Sequence, residues 1–255
     1  KVHSYHHEVV GSKEDLRRIQ RDDLYRHYRT YYHPANAVLA LAGDFDSDAM
    51  LARLGELYGS LPAGAPPPHP ALPEPPSTAE QRLEMSGPGE TTYLEVAYHS
   101  PAANLPDFFA FTVLDSLLAG PTSLNMFGGG GVSNKTSRLY RALVENNLAI
   151  SVGGGMQATI DPYLYDLSIT VHPASTPEKA IAALDDEIKR LQDAPVQETE
   201  VARAIKQARA LFAYGSENIT NQAFWLGFAE MFASYAWFEN YLDELARVTP
   251  ADVQR

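Results

Sequence analysis

Residues 62–76 read Pro62-Ala-Gly-Ala-Pro-Pro-Pro-His-Pro-Ala-Leu-Pro-Glu-Pro-Pro76, and eight of these fifteen residues are proline. Proline fixes φ and has no N–H, so the run can join neither a helix interior nor a central strand. It predicts an extended, semi-rigid connector with a reach of about 3.1 Å per residue. The chain before it reads as the end of one unit, and the chain after it as a fresh start.

Upstream, Ser12, Glu14 and Asp15 place acceptors and negative charge at a helix start. Leu16, Ile19, Leu24, Tyr28 and Tyr31 continue as one helical stripe, which His33-Pro34 stops. Asn36 to Phe45 reads as a short apolar strand, and Asp46 or Ser47 caps a second helix with Leu51, Leu54, Leu57 and Tyr58 on one face.

Downstream, Gln81 to Met85 reads as a weak strand and Thr92 to His99 as a better one, with Leu94, Val96 and Tyr98 alternating. Pro106-Asp107 opens an apolar helix, followed by a loop containing Gly128 to Gly131. A helix over Thr136–Asn147 and a strand over Leu148–Val152 come next, with a bulge or bend expected at Gly153 to Gly155. Tyr163 to His172 reads as the clearest strand, with Tyr163, Tyr165, Leu167, Ile169 and Val171 alternating, and Thr176-Pro177 caps a helix. Glu198 to Arg255 reads as helices only. Period-two strands grouped with helices predict an α+β fold, each sandwich being an antiparallel sheet with helices on one face.

The 255 residues suffice for one large domain or two ordinary ones. A net charge of −12 disfavours contact with a phosphate backbone, so no nucleic-acid partner is expected. The absence of cysteine excludes disulfides, Cys-ligated zinc and a Cys nucleophile. No apolar run reaches the ~18 residues of a membrane span.

The two ends echo each other. Leu16, Ile19, Asp23-Leu24 and Arg26 recur 229 residues later as Leu245, Val248, Asp252-Val253 and Arg255, each copy beside a helix cap. This predicts an internal duplication. The chain would begin partway through one repeat and stop partway through the next.

Two stretches, YHHEVVGSKEDLRRIQRDDLYRHYRTYYHPANAVLALAGDF and TSRLYRALVENNLAISV, with the glycine-rich loop before the second, resemble the pitrilysin/insulinase-type zinc metallopeptidases, the family of the mitochondrial processing peptidase. The resemblance implies two related sandwich domains. Residues 1–61 would be the C-terminal part of the first, 62–76 a linker, and 77–255 a second, non-catalytic domain lacking its last strand. It further implies zinc in the intact protein, a peptide substrate, and a homo- or hetero-dimer with a related chain.

The family's H-x-x-E-H zinc motif begins at none of the eight histidines here. His3, His6, His7 and Glu8 form a tempting cluster, with His3 and His7 at helical spacing, but surface histidines in a turn are the expectation. The family's substrate-holding Tyr and Arg fall at Ile150 and near Val144, so no catalytic and no metal residue is carried over. Arg138, near a helix start, is expected to pair with a carboxylate. The loop MFGGGGVSNKTSRLY lacks P-loop spacing. The resemblance instead makes Phe127, Gly128, Gly129, Gly130 and Gly131 candidate peptide-binding residues. The expected function is the non-catalytic portion of a zinc-dependent metalloendopeptidase, forming part of a peptide-binding chamber. The alternative is an inactive homologue partnering an active subunit. The chain alone is expected to be inactive.

Overall fold

The computed structural model describes residues 2–67, 72–125 and 133–255. It contains two compact units, Lys1–Gly87 and Pro88–Arg255. Among the described residues no helix is long and apolar enough to cross a membrane.

The first unit holds helices α1 (Lys13–Arg18), α2 (Arg21–Tyr31) and α3 (Ser47–Tyr58). The single helix expected from Ser12 to Tyr32 is thus two. Ile19 turns extended (ψ 126°), and Gln20 starts a new helix whose Asp23 carboxylate accepts from the Gln20 N–H at 3.0 Å. A second capping box therefore outcompetes continuation of the apolar stripe. At the start of α1, the Ser12 hydroxyl accepts from the Asp15 N–H, and the Asp15 carboxylate accepts from the Ser12 N–H. Of the two caps considered for α3, Asp46 takes the role.

The strand expected over 36–45 is not formed. Val38, Leu39 and Leu41 are 51%, 60% and 42% exposed, and an extended segment becomes a strand only when a neighbour supplies its ladder. The weak strand over Gln81–Met85 is absent for the same reason. None of the described residues in 2–87 is buried.

The second unit is an α+β layer pair. Strands β1 (Tyr93–Ser100), β2 (Ala149–Gly155) and β3 (Tyr163–Val171) form an antiparallel sheet in the order β1-β3-β2. Tyr98 faces Tyr165 and Val96 faces Leu167 across β1 and β3. On β3, Tyr165, Leu167 and Ile169 are 2%, 0% and 1% exposed while Asp166 and Ser168 between them are exposed, so one sheet face is packed and the other open.

The packed face shares its core with α4 (Asp107–Leu118), α5 (Pro177–Asp193), α6 (Glu198–Ser216), α8 (Tyr235–Arg247) and α9 (Pro250–Gln254), while α7 (Ile219–Phe232) packs on α6 and α8. Helix α4 is buried nearly all round, as a central helix must be, and it contacts α6, α8 and α9. Beside it lies an aromatic cluster. Trp237 meets Phe108 and Phe109 at ring distances of 5.6 and 5.8 Å, and its indole N–H donates to the Ala103 carbonyl at 2.9 Å. Core packing accounts for these rings.

Two expectations shift by a few residues. The bulge in β2 falls at Ile150, which stands between Ala149 and Ser151 without a partner, and not at the glycines. Gly154 has another reason to be glycine. A Cβ there would sit 2.6 Å from both Ala119 Cβ and Leu167 Cδ2, so the end of α4 can approach the sheet only over a bare backbone. The helix expected over 136–147 is shorter, its centre a π turn at Tyr140–Val144 that buries Leu143.

The echo between the chain ends holds in the backbone. Ile19 (φ −55°, ψ 126°) and Val248 (φ −63°, ψ 128°) each end one helix. Gln20 (φ −108°, ψ 164°) and Thr249 (φ −107°, ψ 162°) each begin the next with a capping box to an Asp three residues on.

Candidate functional site

The candidate peptide-binding residues Phe127 and Gly128 to Gly131 lie outside the described residues. Their flanks are well placed. A short helical turn, Pro121–Leu124, leads in, and its Leu124 is buried. The Ser123 hydroxyl accepts from the Met156 N–H at 3.2 Å, just past β2. On the other side, the Asn134 side-chain amide donates to the Val152 carbonyl of β2 at 2.7 Å. Gly120 (φ 125°) meets Asn134 so closely that an added Cβ would lie 2.5 Å from the Asn134 Cβ. Both flanks are therefore pinned to one edge strand and to each other.

Beneath this strand is a buried polar group that the sequence reading missed. Asp115, on α4, is fully buried, and both carboxylate oxygens lack a hydrogen bond of ordinary length and angle, as does the Tyr165 hydroxyl. Burial pushes the Asp115 carboxyl up to about 6, and the facing Ser123 and Tyr165 hydroxyls only temper that rise. Burial, reinforced by the Asp115 charge, raises the Tyr165 phenol in turn. An Asp amid an apolar helical pattern was the available signal, since such a residue is buried only with consequences.

Arg138 pairs with a carboxylate as expected. Its guanidinium donates to both Glu200 oxygens at 2.9 and 3.1 Å, joining the segment before the π turn to the start of α6. Burial alone would raise the Glu200 carboxyl, but the Gln197 N–H and Arg138 outweigh it and hold it below the usual range.

The resemblance sets the family's substrate-holding pair at Ile150 and near Val144. Ile150 is the bulged, 54% exposed residue of β2, and Val144 packs against the core. Nor does the histidine cluster build a helix face. Ser4–His6 is a three-residue 3₁₀ turn, with His3 Nδ1 accepting from the Tyr5 N–H. Among the described residues no three His, Asp or Glu side chains converge on a common point.

The second unit is thus a small antiparallel sheet with one face packed under helices and the other open. Residues 18–208 match the family described as the peptidase M16 inactive domain, and the chain belongs to that family. It is 25% identical over 252 residues to an uncharacterised zinc protease of Mycobacterium bovis, covering 96% of this chain and 54% of that relative. It is 26% identical over 196 residues to the mitochondrial-processing peptidase subunit beta of Bos taurus, covering 77% of this chain and 39% of that protein. The chain thus spans about half the length, or less, of these curated relatives.

Two crystal structures share the fold. A protease from Helicobacter pylori has a TM-score of 0.78 at 17% identity, covering 100% of this chain and 59% of the other. A peptidase M16 inactive domain from Pseudomonas fluorescens has a TM-score of 0.76 at 19% identity, covering 98% and 56%.

Proposed function

We propose that this chain is the non-catalytic part of a zinc metalloendopeptidase and helps to enclose a chamber in which an unfolded peptide is held and cut by groups outside it. The observation that carries the reading is the match to the inactive M16 domain in a sequence with no H-x-x-E-H. Zinc peptidases bind the metal through three protein ligands and leave an open position for water. In the intact protein, zinc would supply the activated water, and this chain would supply surface.

The open sheet face and the edge strands β1 and β2 suit that role. An extended peptide gains affinity by adding its backbone to a sheet edge. Phe127 and Gly128 to Gly131 are proposed to contact the peptide. Support comes from their flanks, pinned to β2 through Ser123 and Asn134. The proposed organisation has residues 1–61 closing a first peptidase-like domain, 62–76 as linker and 77–255 as the second. The matched backbone at Ile19-Gln20 and Val248-Thr249 supports this duplication. A related chain, the same or different, is proposed as dimer partner.

The test is cleavage of an unfolded fluorogenic peptide by the intact protein with zinc, and by the 255-residue chain alone. The intact protein is expected to cleave and the chain alone to be inactive. The only deeply buried carboxylate outside an ion pair among the described residues, Asp115, is sealed from substrate. Failure of the intact zinc-loaded protein to cleave, or cleavage by the isolated chain, overturns the reading.

The second reading is an inactive subunit that supports an active one. It is favoured by the fold shared with a chain of Complex III2 from Candida albicans, with a TM-score of 0.70 at 16% identity, covering 97% of this chain and 58% of that one. An intact protein whose sequence lacks H-x-x-E-H would select it.

A further inference from the structure

On the helical side of the second unit, an open recess of about 640 Å³ lies between the π turn, α5 and the start of α6. Four arginines line it, Arg138, Arg141, Arg190 and Arg203, against two carboxylates, Glu187 and Glu200. Asp186 stands in an adjoining hollow of about 250 Å³. A concentration of guanidinium groups is unexpected in a chain of net charge −12.

The ion pairs within the recess account for only half of these cations. Arg138 is committed to Glu200 and Arg190 to Glu187. Arg203 lies near enough to Glu200 to lower its carboxyl but closes no ion pair, and the Arg141 guanidinium has no ion-pair or hydrogen-bond partner among the described residues. The Arg138 Nε–H is buried and unpartnered as well. The recess also takes in Thr136, Thr199 and the first turn of the 19-residue α6, whose leading N–H groups have no intrahelical acceptor. Of the charged side chains lining the recess, the two without an ion pair, Arg141 and Arg203, are thus both cations, set beside the neutral amides of Asn146 and Gln197.

We propose that this recess binds a phosphate-class oxyanion, contacted by Arg141 and Arg203 above the Arg138–Glu200 pair and by the start of α6. Phosphate chemistry fits better than a lone carboxylate. Two free guanidinium groups present about ten N–H donors, whereas a carboxylate offers roughly four acceptor sites. A helix N-terminus adds donors and a favourable dipole for the same charge. The site involves neither the sheet edge nor the glycine-rich loop, so it stands or falls separately from the peptide-chamber reading.

The experiment titrates inorganic phosphate, tripolyphosphate and glutarate into the 255-residue chain. Calorimetric heat and melting temperature are followed at low and high salt. Saturable binding is expected, tightest for tripolyphosphate, weakest for glutarate and weakened by salt. R141Q and R203Q are each expected to weaken tripolyphosphate binding about tenfold, in line with the loss of one charge-assisted contact. R209Q, an exposed arginine of α6 outside the recess, lowers the net charge equally and should leave binding unchanged. No saturable binding of tripolyphosphate at low salt, glutarate binding as tightly as phosphate, or unchanged affinity in both R141Q and R203Q would overturn the proposal.

Discussion

Asp115 sets the largest pH dependence expected of any carboxylate in the second unit. Its folded-state carboxyl sits near 6, above the ordinary 3.8. Between these values the folded chain binds more protons than the unfolded chain, so stability falls as pH rises from about 4 to about 6 and stays low above that. Asp115→Asn removes the penalty. It should raise stability at pH 7.5 by about 3 kcal/mol, from a shift of about two units, and leave it nearly unchanged at pH 4. Urea denaturation at the two pH values reads the difference, and an equal effect at both would remove burial of charge as the cause. Gly154 makes the opposite kind of demand. With 2.6 Å approaches from Ala119 and Leu167, Gly154→Ala should cost about 1–3 kcal/mol, seen as a lower denaturation midpoint. In the sequence, Asp115 gave only the hint of a lone acid and Gly154 pointed elsewhere. The Asp lay inside an apolar helix, and the glycine seemed to mark a bulge that falls instead at Ile150. In both cases the deciding contact comes from a different element, distant in sequence.

Elements with local causes were the ones most legible in the sequence. The alternation of Tyr163 to Val171, the Thr176 cap of α5 and the helical run after Glu198 all rest on neighbours within a few residues. The extended segment at Val38–Ala42 was read from its apolar character, but a strand is a property of two segments, and none of the described residues supplies the other. The split of the first helix was readable in principle, because Gln20 and Asp23 have capping spacing, yet the apolar stripe masked it. The recess arginines were invisible as a group, since positions 138 to 203 meet only when the π turn packs on α5 and α6. Helix α8 offers a direct test of local causes. The Ser234 hydroxyl accepts from the Trp237 N–H at 3.1 Å and so caps the helix that carries Trp237 and Tyr241 into the aromatic cluster. Ser234→Ala should cost about 1 kcal/mol. Ser234→Asp, which keeps an acceptor at the cap, should recover most of it. Equal losses in both variants, measured by thermal melting, would place the role of Ser234 elsewhere than the cap.

At the scale of the whole chain, the two units differ in what holds them. The second has a continuous core in which Val113, Leu139, Leu143, Leu167, Ala180, Ala204 and Leu245 are all fully buried. The first has helices with good caps and apolar stripes, yet Leu24, Leu51 and Leu57 are 61%, 65% and 50% exposed. Helices of six to twelve residues are marginal in water without a packed face. Burial is the main term offsetting chain entropy, so the first unit should open locally at far lower cost than the second. The expected result is stepwise. Limited proteolysis should remove residues before about Pro88 first and leave a resistant fragment carrying β1 to α9. Amide exchange should be fast throughout α1 to α3 and slow in α4 and β3. Fragment masses and exchange rates check this independently. Uniform protection across α2, α3 and α4 would mean that the apolar faces of the first unit are covered in solution, for instance by a second copy of the chain. A dilution series of the same exchange experiment separates that case, because cover by a second copy is lost as the concentration falls.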